Sequence, residues 1–173
     1  MSRAAFSLAV CAVFSLPAAA WAHTVPTAPQ GWEAIVGRFH PALVHFPIAL
    51  VLVAVVAETL CIARRDGRYA DAARFMILVA AWISVPTAIT GFIRAESITF
   101  DPAEAPLFAV HRVAGIVTPV LIFLCAGLAE GVRRSGQIWE LLLYRALLLL
   151  SAISTVVAGY FGGEIVFGVF SMW

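Results

Sequence analysis

Four apolar stretches, 44–63, 75–93, 113–129 and 146–163, each run close to the roughly twenty residues a helix needs to cross a bilayer. The last three carry no charge, and besides Cys61 the first holds only His45 and Glu58 as titratable groups. Backbone amides have no water to bond in lipid, so spans like these fold as helices. A chain that is 62% hydrophobic and 12% charged has no soluble domain to offer beside them. The expected fold is all-α, a four-helix up-down-up-down transmembrane bundle, and 173 residues leave no room for a second domain.

Residues 1–22 read as a secretory signal peptide. Arg3 is the charged start, an apolar core runs from Ala4 to Leu16, Pro17 breaks it, and Ala20-Trp21-Ala22 is an A-x-A-type cleavage site. The expected organisation is this signal, a periplasmic segment over 23–40, a four-span domain over 41–169 and a tail over 170–173. Cleavage would leave His23 first, an amine beside an imidazole that any exposed first histidine shares. Cys11 leaves with the signal. Cys61 and Cys125 fall inside spans, without C-x-x-C-H, and are expected to act as small apolar residues.

Orientation follows from the loops. Arg64, Arg65, Arg68 and Arg74 follow the first span, and Arg133 and Arg134 follow the third, whereas Glu96, Asp101 and Glu104 lie between the second and third. The positive-inside rule puts the arginine loops in the cytoplasm and both mature termini in the periplasm of a bacterial inner membrane. Small residues recur every fourth position at Ser151, Thr155, Gly159 and Gly163, and at Ala80, Ser84 and Ala88. Such stripes let helix backbones approach closely in lipid.

Polar residues gather at the end away from the arginine loops. They are Arg38, His40, His45, Arg94, His111, Arg112 and Glu164, with Gly115 and Gly159 among them. Pro41 suits a first helical turn with His40 near its cap, and Pro47 is expected to bend the helix or to start its regular part. Pro86 frees the Trp82 carbonyl, for which Thr87 and Thr90 are at hand. His45 lies four residues past Pro41 and His111 four past Leu107, so both sit roughly 6 Å inside their helix starts. In a square bundle of axes about 10 Å apart these two helices are diagonal, about 14 Å from each other. That spacing suits His45 and His111 as axial ligands of a haem b, with His40 in reserve and Gly115 and Gly159 making room for the macrocycle. Arg38, Arg94 and Arg112 would meet its propionates or another anion. Glu58, at the other end, is expected to pair with Arg64 or Arg65.

The motif His40-Pro41-x-x-Val44-His45-Phe46-Pro47-Ile48, with His111-Arg112-x-x-Gly115 and Gly162-Gly163-x-Ile165-Val166, resembles the bacterial membrane proteins grouped as domain of unknown function 2231. The likeness runs from about Gly37 to Gly168. It implies a four-span inner-membrane domain, sometimes found beside cytochrome c domains. In that family a tyrosine follows the last motif; Phe167 replaces it here, and the end Phe170-Ser171-Met172-Trp173 departs from the pattern.

Three functions stay open. One is a bis-histidine b-type haem subunit passing electrons to a periplasmic cytochrome or a larger membrane complex. The second is a subunit or assembly factor without cofactor, and the third a transition-metal or small-solute site built from His40, His45 and His111. Nucleic acid is excluded as a partner, since the net charge is +1 and no basic run exists. Hydrolase chemistry lacks a motif, G-x-S-x-G being absent. Transport lacks its usual signs, the spans showing no evident internal repeat.

Overall fold

A computed structural model describes residues 31–96 and 105–167. The signal peptide, His23, Asp101, Glu104 and the C-terminal tail lie outside the described residues. Six helices form among the described residues: α1 (Trp32–Gly37), α2 (His40–Leu43), α3 (His45–Arg64), α4 (Gly67–Glu96), α5 (Ala105–Ser135) and α6 (Ile138–Phe167). The first three make one span, Trp32–Arg64, and the others one each, giving four spans long and apolar enough to cross a membrane.

The first span is helical from Trp32, well before Pro41. Its two interruptions have one cause. A proline offers no N–H to the carbonyl four residues before it. For Pro41 that carbonyl belongs to Gly37 and for Pro47 to Leu43, the residues at which α1 and α2 end. Arg38, Phe39 and Val44 keep right-handed helical angles, so the chain stays helical in character across both breaks. In α4, Pro86 leaves the helix unbroken. The nearby hydroxyls bond elsewhere than expected: Thr87 donates to the Ile83 carbonyl at 2.8 Å and Thr90 to that of Pro86 at 2.8 Å.

Tight turns join the first span to the second and the third to the fourth. Each contains a left-handed residue, Arg65 at φ 52° and Gly136 at φ 65°. Asp66 then caps α4, accepting the Arg68 N–H at 3.0 Å. The two hairpins pack side by side, the second span against the third and the fourth against the first.

The hairpins repeat one pattern, which corrects the expectation of no internal repeat. Equivalent residues stand 71 positions apart in sequence (111 less 40). At this offset the left-handed Arg65 matches Gly136. The buried Val51, Ala54, Ile77, Ala80 and Ser84 match the buried Ile122, Cys125, Leu148, Ser151 and Thr155. Both hairpins run the same way, so they are related by a pseudo-two-fold axis along the spans. The central residues are mostly small, and Ala80, Ser84, Ser151 and Thr155 of the two small stripes lie buried among them, as close helix approach in lipid requires. Large apolar residues such as Phe75, Trp82 and Ile153 face outward.

Two ion pairs cross between the hairpins near the turn end. Arg74 of α4 binds Glu130 of α5, and Arg145 of α6 binds Glu58 of α3 through Nε at 2.8 Å. Arg74 and Arg145 are again equivalent in the repeat. Glu58 therefore pairs with Arg145 rather than with Arg64 or Arg65; Arg64 instead donates to the Tyr69 hydroxyl at 3.1 Å. The Glu58 side chain is 7% exposed and that of Arg145 30%. Removing one partner of a buried pair leaves a charge with nothing to offset its desolvation. Arg145→Met is expected to cost about 3 kcal/mol, read as a lower thermal midpoint in detergent. The double change Glu58→Leu/Arg145→Met is expected to recover most of that loss.

Candidate functional site

At the opposite end of the bundle, two histidines occupy equivalent positions of the repeat. His40 lies on α2 and His111 on α5, the diagonal spans. The His40 Nδ1 is 2.9 Å from the Thr87 carbonyl of α4, 47 residues on. The His111 Nδ1 is 2.9 Å from the Ala158 carbonyl of α6, also 47 residues on. A carbonyl only accepts, so both Nδ1 atoms carry hydrogen. In the neutral ring that leaves Nε2 with a lone pair. Orienting a histidine through one nitrogen and leaving the other free is how proteins prepare a metal ligand.

Each ring also rests on a glycine one helical turn beyond its carbonyl partner. A Cβ on Gly91 would stand 2.8 Å from Cε1 of His40, and one on Gly162 would stand 2.8 Å from Cε1 of His111. No real side chain tolerates that distance, so both positions need glycine for the rings to lie where they do. The two imidazoles meet near the pseudo-two-fold axis, their centroids 6.3 Å apart and their planes at 74°. Both rings are half-buried.

This pairing differs from the expected one. His40, not His45, stands against His111. His45 is exposed on the outside of the first span. The five-residue separation explains it, since five residues turn a helix through about 140°. Gly115 has open space where a Cβ would be, and Gly159 faces Ile48 at an ordinary 3.5 Å, so neither touches an imidazole. Gly91 and Gly162 do, and the signal that finds them is the 71-residue offset shared with the histidines.

The arginines divide. Arg38 and Arg112 are exposed, whereas Arg94 is half-buried. Arg94 is near enough to Arg38 and His40 to act on both electrostatically. Gly37 explains the closeness, because a Cβ there would stand 3.0 Å from the Arg94 Cα. Glu164 is half-buried on α6. No group of three or more ligating His, Cys, Asp or Glu side chains occurs among the described residues.

The family model described as Predicted membrane protein (DUF2231) matches residues 38–169. The chain belongs to this family. No curated protein and no solved structure matches it. The match begins at Arg38, takes in both histidines and both ring-bearing glycines, and reaches into all four spans. This member of DUF2231 is thus a membrane protein whose two halves each present one oriented imidazole.

The glycine contacts can be tested directly. Gly91→Ala and Gly162→Ala are each expected to destabilise by about 1–3 kcal/mol, by forcing a ring off its carbonyl. Gly127→Ala meets nothing within 4 Å and is expected to be neutral or to stabilise by up to about 1 kcal/mol. Thermal unfolding in detergent reads all three.

Proposed function

We infer that this protein is an electron-transfer subunit of a bacterial inner membrane, holding one haem b between His40 and His111 at the periplasmic face. The observation that carries this reading is the matched pair of imidazoles, each with Nδ1–H bound to a carbonyl and Nε2 free. With metal–nitrogen bonds of about 2 Å and roughly 1 Å from nitrogen to ring centre, two imidazoles sharing one metal stand up to about 6 Å apart. The separation of 6.3 Å agrees. A haem brings four nitrogens of its own and asks the protein for two. A bare zinc ion asks for three or four ligands, more than this pair supplies, so the donor set favours haem over a bare ion.

When bound, such a haem supplies one-electron chemistry. The residues of the chain then have separate tasks. His40 and His111 would hold the haem, the Thr87 and Ala158 carbonyls fix their tautomers, and Gly91 and Gly162 give the rings room. Electrons would pass to a partner at the periplasmic face, such as a soluble cytochrome. The arginine-rich turns support the orientation, since the positive-inside rule assigns them to the cytoplasm.

A second reading has its own support. The carbonyl bonds and glycine contacts already account for both rings as packing elements, which suits a subunit or assembly factor without cofactor. Spectra separate the two. Purified from haem-sufficient cells, the wild-type protein is expected to show a Soret band that shifts on dithionite reduction. His40→Ala and His111→Ala are each expected to lower haem content by about tenfold or more, and His45→Ala to leave it unchanged. A colourless wild-type protein, or full haem in both variants, overturns the haem reading in favour of the second.

A further inference from the structure

The repeat makes one departure from itself conspicuous. Around the histidines the hairpins agree in ring, carbonyl and glycine. Arg38 and Arg94, however, stand where the second hairpin has Ala109 and Ile165. Neither helix packing nor the repeated imidazole arrangement calls for two cations on one side only.

Their surroundings sharpen the point. An arginine that merely reaches for the membrane surface is free to point away from another. Here the close approach of Gly37 to the Arg94 backbone brings the first span against α4 and places the backbone of Arg38 beside Arg94. Arg94 is half-buried at that position. The ion pairs found among the described residues involve Arg68, Arg74, Arg133 and Arg145, so neither Arg38 nor Arg94 has an acidic partner there. Two like charges on adjoining stretches of backbone, one of them half-buried, are stabilised by an anion that both can reach. Guanidinium groups suit a carboxylate or a phosphate in particular, through paired N–H donors. Phe39 and Phe92, each next in sequence or nearly so to one of the arginines, are exposed at 58% and 44%. The occupant thus meets apolar surface as well as charge.

We propose that Arg38 and Arg94 form an oxyanion subsite beside His40, taking one carboxylate or phosphate of an amphiphilic molecule. The group has two sources, a haem propionate or the phosphate of an anionic lipid. The propionate arm rests on the haem reading above; the lipid arm does not.

The test compares wild type, Arg94→Gln, Arg38→Gln/Arg94→Gln and a control, Arg134→Gln, at the opposite end of the bundle. Each full-length protein is titrated with hemin, and separately washed in detergent and assayed for retained phosphatidylglycerol by mass spectrometry. With a propionate in the subsite, the double variant binds hemin about tenfold or more weakly, while its spectrum at saturation stays that of a bis-imidazole haem. With a lipid phosphate there, the double variant loses about nine-tenths or more of the retained phosphatidylglycerol, whether or not the wild type binds haem. A wild type that binds no hemin therefore ends the haem reading and leaves the subsite testable through lipid. Wild-type hemin affinity together with wild-type lipid retention in the double variant overturns the subsite. Arg94→Gln alone supplies the same comparison should the double variant fail to fold.

Discussion

The donation of an imidazole Nδ1–H to a helix carbonyl, made once in each hairpin, is the interaction from which the rest of this end of the bundle follows. It fixes the tautomer, and so decides which nitrogen is free. It fixes where the ring lies, and so requires glycine at positions 91 and 162. It also ties the first span to the second and the third to the fourth at the end away from the turns. A helix carbonyl already accepts a bond from its own ladder, but its second lone pair can take another donor. Polar contacts inside a membrane are tolerated in this form because nothing is left unpaired on the carbonyl side.

The other end depends on a different kind of contact. Arg74–Glu130 and Arg145–Glu58 join hairpin to hairpin rather than neighbours within one hairpin. The molecule is thus held within its halves at one end and between them at the other, with small buried residues filling the middle. Charged pairs in such a place contribute little net energy and cost much when broken singly. Each ties one hairpin to the other at the turn end, as the two histidine rings meet across the hairpins at the opposite end.

Much of the architecture was legible in the residues. The four spans follow from run length and apolarity, and the small stripes at Ala80 and Ser84 and at Ser151 and Thr155 do lie buried. The site was legible only in part. His40 and His111 stand out as polar groups in apolar surroundings, but so does His45, and depth alone cannot choose between residues five apart. What chooses is the rotation of the helix relative to its neighbours. That rotation depends on Pro41 and Pro47, whose missing donors interrupt the ladder on either side of His40. The repeat was hidden for a related reason. Few of the matched positions are identical, and the likeness lies in which residues are buried, left-handed or bonded to a carbonyl.

By itself the sequence determined that the chain crosses a membrane in four helices, with arginine-rich turns at one end and histidines at the other. Those features are set by transfer energies, which add residue by residue along the chain and need no neighbour to define them. Only the tertiary structure decided that His40 rather than His45 faces His111, that Arg145 rather than Arg64 or Arg65 neutralises Glu58, and that Gly91 and Gly162 carry the rings. Each of these is a contact between segments 47 or more residues apart. Packing of one helix against another settles such contacts, and no local pattern encodes it.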